Sequence, residues 1–494
     1  MTSRAATIIV LVALLASACT RAANPIAKAS PSSQPTPSTV AWTSCGGGFS
    51  CGNLPVPLDY SGRTSGTITI AMMRKPATNP AKRIGSLLVN PGGPGDPAID
   101  FLRQDLSALA DLNVYFDLVA FDPRGVGQSE AVHCLQPAQQ DAYNAVDPVL
   151  DDAQEKADFI QAAKDYAAAC QQQSGRILPF LDTASAARDM DLVRAALGDA
   201  KLTYLGLSYG TFLGQMYAHL FPTRVRALSL DGVVDPAISA EDLNRTQLVS
   251  FEANLQAFLA DCRARKTGSS PCRYAQSGDP GAKLTALMQR LDAQPLPVGN
   301  RQLTRAIGLN GVLLALYDQS FWTYLDQGLT LADQGNGSIL VALSDTYYQR
   351  SADGTYSSLE DANAAINCVD RPVASDIATY DALGPVYSQI SPLFGHAFQY
   401  ANLLCSFWPA KPTGRAGPLT VEGAPPILLV GGSNDPATPF VWAQSVHAQL
   451  AGSVLLTREG NGHTSFDSSP CSHSAEDAYL ISLTLPAQGA VCSS

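Results

Sequence analysis

The run Gly206-Leu207-Ser208-Tyr209-Gly210 sets a serine between two glycines. Apolar residues precede it and a helical pattern, Thr211 to Leu220, follows. A serine hydroxyl is a weak nucleophile until a neighbouring base takes its proton. A sharp strand-to-helix turn exposes such a serine, and flanking glycines remove the clashes around it. A serine in a Gly-rich turn also caps helices, but the strand–turn–helix context favours Ser208 as nucleophile. In this type of elbow the partners follow in the order serine, acid, histidine. Three histidines lie downstream: His447, His463 and His473. His447 falls inside the helical run FVWAQSVHAQL, and His473 sits beside Cys471 in a Ser-rich stretch. His463 lies in the loop EGNGHTSF after the strand-like SVLLT (453–457), a suitable place for an imidazole base. Asp435 ends ILLVGGSND, directly after an apolar strand, and is the candidate acid; its other reading is an Asx turn with Pro436.

Acyl transfer through such a serine creates an oxyanion that preorganised N–H groups must meet. One donor is expected from the backbone of Tyr209. The other is expected from Asn90-Pro91-Gly92-Gly93-Pro94-Gly95, where missing side chains allow close approach. Gly93 is the choice and Gly92 the reserve. Asp122-Pro123-Arg124-Gly125-Val126-Gly127-Gln128-Ser129 follows another apolar strand and is read as organising a turn beside the site, without a catalytic role.

These residues need a scaffold, and the chain supplies an alternating one. GTITIAMMR (66–74), SLLVN (86–90), VYFDLVAFD (114–122), LTYLGLS, ALSLDG (227–232) and PILLVGG (426–432) have strand length and apolar content. Helical patterns stand between them, notably 152–173 and 183–198. Such alternation predicts a mostly parallel sheet with helices on both faces. With the elbow and its partners, the fold class is α/β, of the α/β-hydrolase type. From 236 to 415 the rhythm breaks into helix-prone segments carrying four cysteines, read as a helical lid inserted over the sheet's C-terminal edge. The core therefore divides into residues 42–235 and 416–494.

The 494 residues are 46% hydrophobic and 15% charged, with a formal net charge of -11 and no basic run. Nucleic acid and anionic membrane surfaces need clustered positive charge, so neither is expected as a partner. Arg4 followed by the apolar Ala5 to Ala16 reads as a signal segment over residues 1–18. Two kinds of processing fit it. Ala16-Ser17-Ala18 suits signal peptidase, whereas Leu15-Ala16-Ser17-Ala18-Cys19 resembles a lipoprotein box, with Ala16 where leucine is usual. Residues 19–41, rich in Pro, Ser, Thr and Ala, are read as a tether. There are eleven cysteines. Exported proteins tend to pair their cysteines, and setting Cys19 aside leaves the short-range couples 45/51, 134/170, 262/272, 368/405 and 471/492. Lipidation at Cys19 is the expected fate of the odd one, which would place the enzyme outside the cell or on its envelope.

With these pieces in place, the chain resembles the tripeptidyl-aminopeptidase and proline-iminopeptidase group of serine peptidases, most closely its secreted actinobacterial members. LPVPLDY (54–60), NPGGPG (90–95), FDPRGVGQS (121–129), YLGLSYGT (204–211), AINCVDRP (365–372), GGSNDPATP (431–439), GNGHTSF (460–466) and the tail from Cys471 to Cys492 carry the likeness. The resemblance implies removal of short peptides from free N-termini, with Ser208, Asp435 and His463 at the triad positions. Asp96 departs from it, standing where a small residue is expected. Recognition of the substrate's ammonium calls for a paired carboxylate, and Asp370 is the candidate, against a structural pairing with Arg371 or a nearby backbone group. No cofactor or metal is expected, and the chain is expected to act as a monomer on peptides. The competing functions are an esterase or other acyl hydrolase using the same triad, and a non-catalytic envelope binding protein.

Overall fold

A computed structural model describes residues 39–267, 270–414 and 417–493. The expected signal segment, Cys19 and nearly all of the tether lie outside the described residues. The strands are β1 (Thr43–Ser44), β2 (Ser50–Pro57), β3 (Thr67–Lys75), β4 (Gly85–Asn90), β5 (Phe116–Phe121), β6 (Leu202–Leu207), β7 (Val225–Asp231), β8 (Leu296–Val298), β9 (Arg301–Leu303), β10 (Leu428–Asn434), β11 (Val454–Asn461) and β12 (Val491–Cys492). All but the β8–β9 hairpin form one sheet, in the order β1-β2-β3-β5-β4-β6-β7-β10-β11-β12. From β5 through β12 every pair is parallel, while β1, β2 and β3 join the edge antiparallel. This is the mostly parallel sheet expected from the alternating pattern.

Both faces of the sheet are covered, and the strands show why. Successive side chains of a strand point to opposite faces. Leu87 and Val89 of β4, with Leu118 and Ala120 of β5, enter one core, and Leu88, Val119 and Phe121 enter the other. Strands buried on both sides read as continuous apolar runs, and each fully buried Leu or Val stabilises the fold by roughly 1.5–3 kcal/mol. The helix Ala153–Ser174 starts at a capping box, with Asp152 accepting from Gln154 and Glu155 N–H and Glu155 reaching back to Asp152 N–H. Asp182 caps the helix Thr183–Ala196 by accepting from Ser185 N–H at 2.8 Å.

Strand β2 does not read as a strand in the sequence, because it contains Pro55 and Pro57. Proline is tolerated in a strand only where its missing N–H is not needed. The neighbour β1 pairs only with Ser50 and Cys51, so the far edge of β2 beyond them is unpaired by β1.

Between β7 and β10 the chain builds a second apolar cluster from the helices Ala240–Ala264, Pro280–Ala293, Arg305–Tyr317, Trp322–Asp333 and Ser338–Tyr347. Helix Leu359–Asp370 instead packs its Ala362, Ala365 and Ile366 into a core of the sheet. Five disulfides join Cys45 to Cys51, Cys134 to Cys170, Cys262 to Cys272, Cys368 to Cys405 and Cys471 to Cys492, the pairing expected from their spacing. Among the described residues no helix is long and apolar enough to cross a membrane.

Candidate active site

Three loops leave the C-terminal ends of β4, β6 and β10, and a fourth leaves β11, with the candidate residues on them. Ser208 stands between β6 and the helix Tyr209–Leu220 at φ 55° and ψ −124°. Positive φ is rare for a residue with a side chain and costs of order 1–3 kcal/mol, so it persists only where the surroundings impose it. Here Ser208 donates its N–H to the Asp231 carbonyl at 2.8 Å, and Thr211 Oγ1 donates to the Ser208 carbonyl at 2.7 Å. A Cβ on Gly206 would lie 2.5 Å from the Gly210 carbonyl oxygen, and one on Gly210 would lie 2.8 Å from the Asn90 carbonyl oxygen. Both glycines are therefore needed for the turn itself.

Asp435 and His463 come together. His463 Nδ1 lies 2.9 Å from Asp435 Oδ1 and 3.0 Å from Oδ2. The Asp435 carboxylate is buried and also accepts from Ala437 and Thr438 N–H, Thr438 Oγ1 and Thr464 N–H, at 2.8–3.1 Å. The Asx-turn reading and the acid reading thus describe one carboxylate. Burial alone would raise its pKa, but the imidazole and these donors outweigh it and hold the carboxyl below its ordinary value. It stays ionised beside the ring, and Nδ1 faces it, which leaves Nε2 as the free nitrogen. The register brings the histidine loop to the end of the strand beside the elbow. Leu207 is opposite Asp231, and a Cβ on the next residue, Gly232, would lie 3.3 Å from His463 Cε1.

The glycine loop lies against the elbow. A Cβ on Gly92 would come 2.8 Å from Ser208 Cβ and 2.9 Å from the Tyr209 nitrogen. Gly92 donates its own N–H to Asn90 Oδ1 at 3.1 Å, so that donor is spent, which favours Gly93 over Gly92 as the loop's oxyanion donor. Tyr209 opens its helix, so its N–H has no intrahelical acceptor, and the positive end of the helix points at the serine. Asp122 ties the start of the helix after this loop to its own turn by accepting from Ile99 and Gln128 N–H at 3.0 and 2.8 Å. The DPRGVGQS segment is a turn organiser, as read. Asp96 accepts from Gln349 Nε2 at 2.9 Å and so links the glycine loop to the inserted region. His447 bonds Ser453 and His473 bonds the Phe466 carbonyl, neither of them at the serine.

Asp370 does not face a substrate space. Its carboxylate accepts from Thr183 N–H at 2.8 Å and from Thr183 Oγ1 at 2.5 Å, and Thr183 Oγ1 also meets Tyr209 Oη. Burial pushes this carboxyl up to about 6. These bonds are the structural pairing with a backbone group, the alternative to amine recognition, and Thr183 supplies them through both its N–H and its hydroxyl. The cavity beside the site, about 460 Å³, has Glu360 as the only carboxylate among its lining residues. Glu360 accepts from Gln140 Nε2 at 2.6 Å and Asn144 Nδ2 at 3.2 Å, and burial pushes it up to about 8. Ser208 is not in the cavity wall, but wall residues touch its loops. Asn363 donates to the Pro94 carbonyl at 3.0 Å, Gln247 to the Ala437 carbonyl at 2.7 Å, and the Tyr317 carbonyl accepts His463 N–H at 2.6 Å.

Sequence reasoning did not single out Glu360, Asn363, Gln247, Tyr317 or Asp231. Only Asp231 carried a signal, since an apolar strand ending in an aspartate is the pattern that pointed to Asp435. Burial pushes Asp231 up to about 6, against the pull of two backbone N–H groups, and Asp435 adds to the rise.

Comparison with known proteins places this arrangement among relatives. The family described as "TAP-like protein" matches residues 391–492. Serine protease Hip1 of Mycobacterium tuberculosis is 35% identical over 92% of this chain and 91% of its own. Carboxylesterase B of the same organism is 35% identical, covering 90% of this chain and 86% of its own. Tripeptidyl aminopeptidase of Streptomyces lividans is 32% identical, covering 90% and 83%.

Proposed function

Because the chain belongs to the TAP-like family of α/β-hydrolase serine peptidases, we propose that it removes short peptides, two or three residues long, from free N-termini through an acyl-enzyme on Ser208. The reading is carried by the buried Asp435–His463 pair, together with a serine at positive φ on a strand-to-helix turn. Nε2 of His463 takes the Ser208 proton as Oγ attacks the scissile carbonyl. The imidazolium that forms is stabilised by ionised Asp435. The N–H groups of Gly93 and Tyr209 receive the developing oxyanion. His463 then returns the proton to the leaving amine, and water, activated by the same nitrogen, releases the acyl group.

Exopeptidase action needs a partner for the substrate's ammonium, and Glu360 takes the place first given to Asp370. It is the carboxylate facing the cavity, and its raised pKa marks a group that gains from an arriving cation. The inserted helices act as the lid that walls this space. Export with a lipid anchor at Cys19 completes the reading. The ten cysteines other than Cys19 are all paired, which suits an oxidising compartment. Replacing Cys19 with Ser should move a cell-associated protein into the medium.

The esterase reading remains the second, because the relative named Carboxylesterase B has the same 35% identity as the named protease, over slightly less of each chain. Chromogenic tripeptides with free or blocked N-termini, run beside short-chain esters, separate the two. Hydrolysis of free-amine peptides, lost in Ser208→Ala, is the expected result. Ester turnover without peptide turnover would overturn the peptidase assignment.

A further inference from the structure

One residue reaches both halves of the proposed site. Asp231 closes β7, opposite Leu207 of β6 on one side and Val430 of β10 on the other. It therefore stands between the strand that delivers Ser208 and the strand that delivers Asp435. Its carbonyl accepts the Ser208 N–H at 2.8 Å. Its Oδ2 accepts the N–H groups of Ser465 at 2.6 Å and Phe466 at 2.7 Å, in the loop that carries His463. The same loop is held from its carbonyl side by buried Arg458, which donates to Asn461, Gly462 and Thr464 oxygens at 2.8, 2.6 and 3.1 Å. The loop's donors thus meet a fixed anion and its acceptors a fixed cation, and charge-assisted bonds of this kind are roughly twice as strong as neutral ones.

Oδ1 of Asp231 is buried without a hydrogen-bond partner, as is Glu476 Oε1. The ionisable groups around it are Asp435, His463 and Glu476. Glu476, on the helix Pro470–Ser482, spends Oε2 on Ser229 Oγ at 2.8 Å. A buried acceptor left half-satisfied is costly, and holding a reactive loop in place is a reason to keep it.

We propose that Asp231 is a positioning residue, setting the separation of Ser208 and His463 through its carbonyl on the elbow and its carboxylate on the histidine loop. The inference rests on the reading that Ser208 and His463 react together. A misplacement of about 1 Å costs about 10²-fold in rate, so the readouts are the rate of fluorophosphonate labelling and the split between kcat and KM. Asp231→Val removes the acceptor and is expected to lower kcat and labelling about 10²-fold, with KM within about twofold. Asp231→Asn keeps an oxygen for both N–H groups and places its NH₂ where no donor stands, so it recovers most of that loss. Asp231→Glu keeps the charge but is one methylene too long, and falls with Val. If the Val variant does not fold, the order of Asn above Glu still decides. A wild-type enzyme that resists the phosphonate would sink the underlying reading instead. Labelled wild type with Val or Glu at its full rate, or Glu active where Asn is not, overturns the positioning role.

Discussion

His463 and Tyr317 meet twice. The backbone N–H of His463 donates to the Tyr317 carbonyl at 2.6 Å, and the two rings stand edge to face with centroids 5.5 Å apart. Tyr317 ends the inserted helix Arg305–Tyr317 and also lines the cavity. The insertion is thus joined to the base of the proposed triad, and the cavity wall is continuous with the loop that carries it.

Truncating that ring should affect both. Aromatic edge-to-face pairs contribute about 0.5–1.5 kcal/mol, so Tyr317→Ala is expected to lower kcat by roughly two- to tenfold through a looser imidazole. Because the residue is also cavity wall, KM for peptides should rise while KM for a small acetyl ester does not. Steady-state kinetics on the two substrates make the comparison. Identical effects on both would place the ring's role in the loop alone.

The glycine loop gives a steric prediction. Gly92 has φ 107°, and a methyl there would meet Ser208 Cβ at 2.8 Å and the Leu207 carbonyl oxygen at 2.6 Å. Neither neighbour is a flexible side-chain end, so the elbow itself must shift. Gly92→Ala should lower kcat about 10²-fold or more, the scale of a 1 Å misplacement or of a lost oxyanion donor. Phosphonate labelling should slow in proportion. A variant that labels at the wild-type rate would show that the loop tolerates the methyl and that the oxyanion donor lies elsewhere.

How far the sequence reached follows from what kind of contact was involved. Ser208, Asp435 and His463 were legible because each sits at or just after an apolar strand, and strand ends are what the apolar pattern marks. The disulfide pairs were legible because each is local in sequence. Asp370 was misplaced because sequence reveals a carboxylate but not its direction, and this one turns to Thr183 of a distant helix. Glu360, ten residues earlier on the same helix, lines the cavity, and the sequence does not say which side of that helix meets the cavity. The bonds Asn363 to Pro94 and Gln247 to Ala437 join residues 269 and 190 positions apart and leave no local pattern. Strand β2 was hidden by its own prolines.

A stability prediction comes from the turn organiser. Arg124 and Asp189 are fully buried, joined Nε to Oδ2 at 2.7 Å and Nη2 to Oδ1 at 2.7 Å. Removing one partner of a buried ion pair strands the other charge and costs about 3–5 kcal/mol. Asp189→Ala should lose that much in denaturant unfolding while the folded fraction keeps its kcat. The double change Arg124→Met with Asp189→Leu removes both charges, which on its own is often neutral. Here it should recover only part of the loss, because the carbonyls of Leu58, Phe180 and Pro57 lose the donors Arg124 supplied. Full recovery would show that those carbonyls find water.

The last prediction is the pH dependence of substrate binding. Burial holds the Glu360 carboxyl up at about 8, with Asp361 nearby adding to the rise and the amides of Asn144 and Gln140 opposing it. Below that pH the free enzyme carries Glu360 largely protonated, so an ammonium arriving at the cavity must first displace a proton. Above it the carboxylate is ready, but the substrate's α-amino group, with a pKa of about 7.7–8.0, loses its charge. The paired state is therefore best populated near pH 8, and KM for free-amine peptides should fall as pH rises from 6 toward 8 and rise again beyond. Glu360→Gln keeps the hydrogen-bonding shape and removes the charge. It should raise KM for those peptides about tenfold, the lower end for a charged hydrogen bond, and flatten its pH profile. Blocked peptides and small esters should change little. If the Gln variant keeps the wild-type KM and its pH profile on free-amine peptides, the ammonium is held by another group and Glu360 is a wall residue.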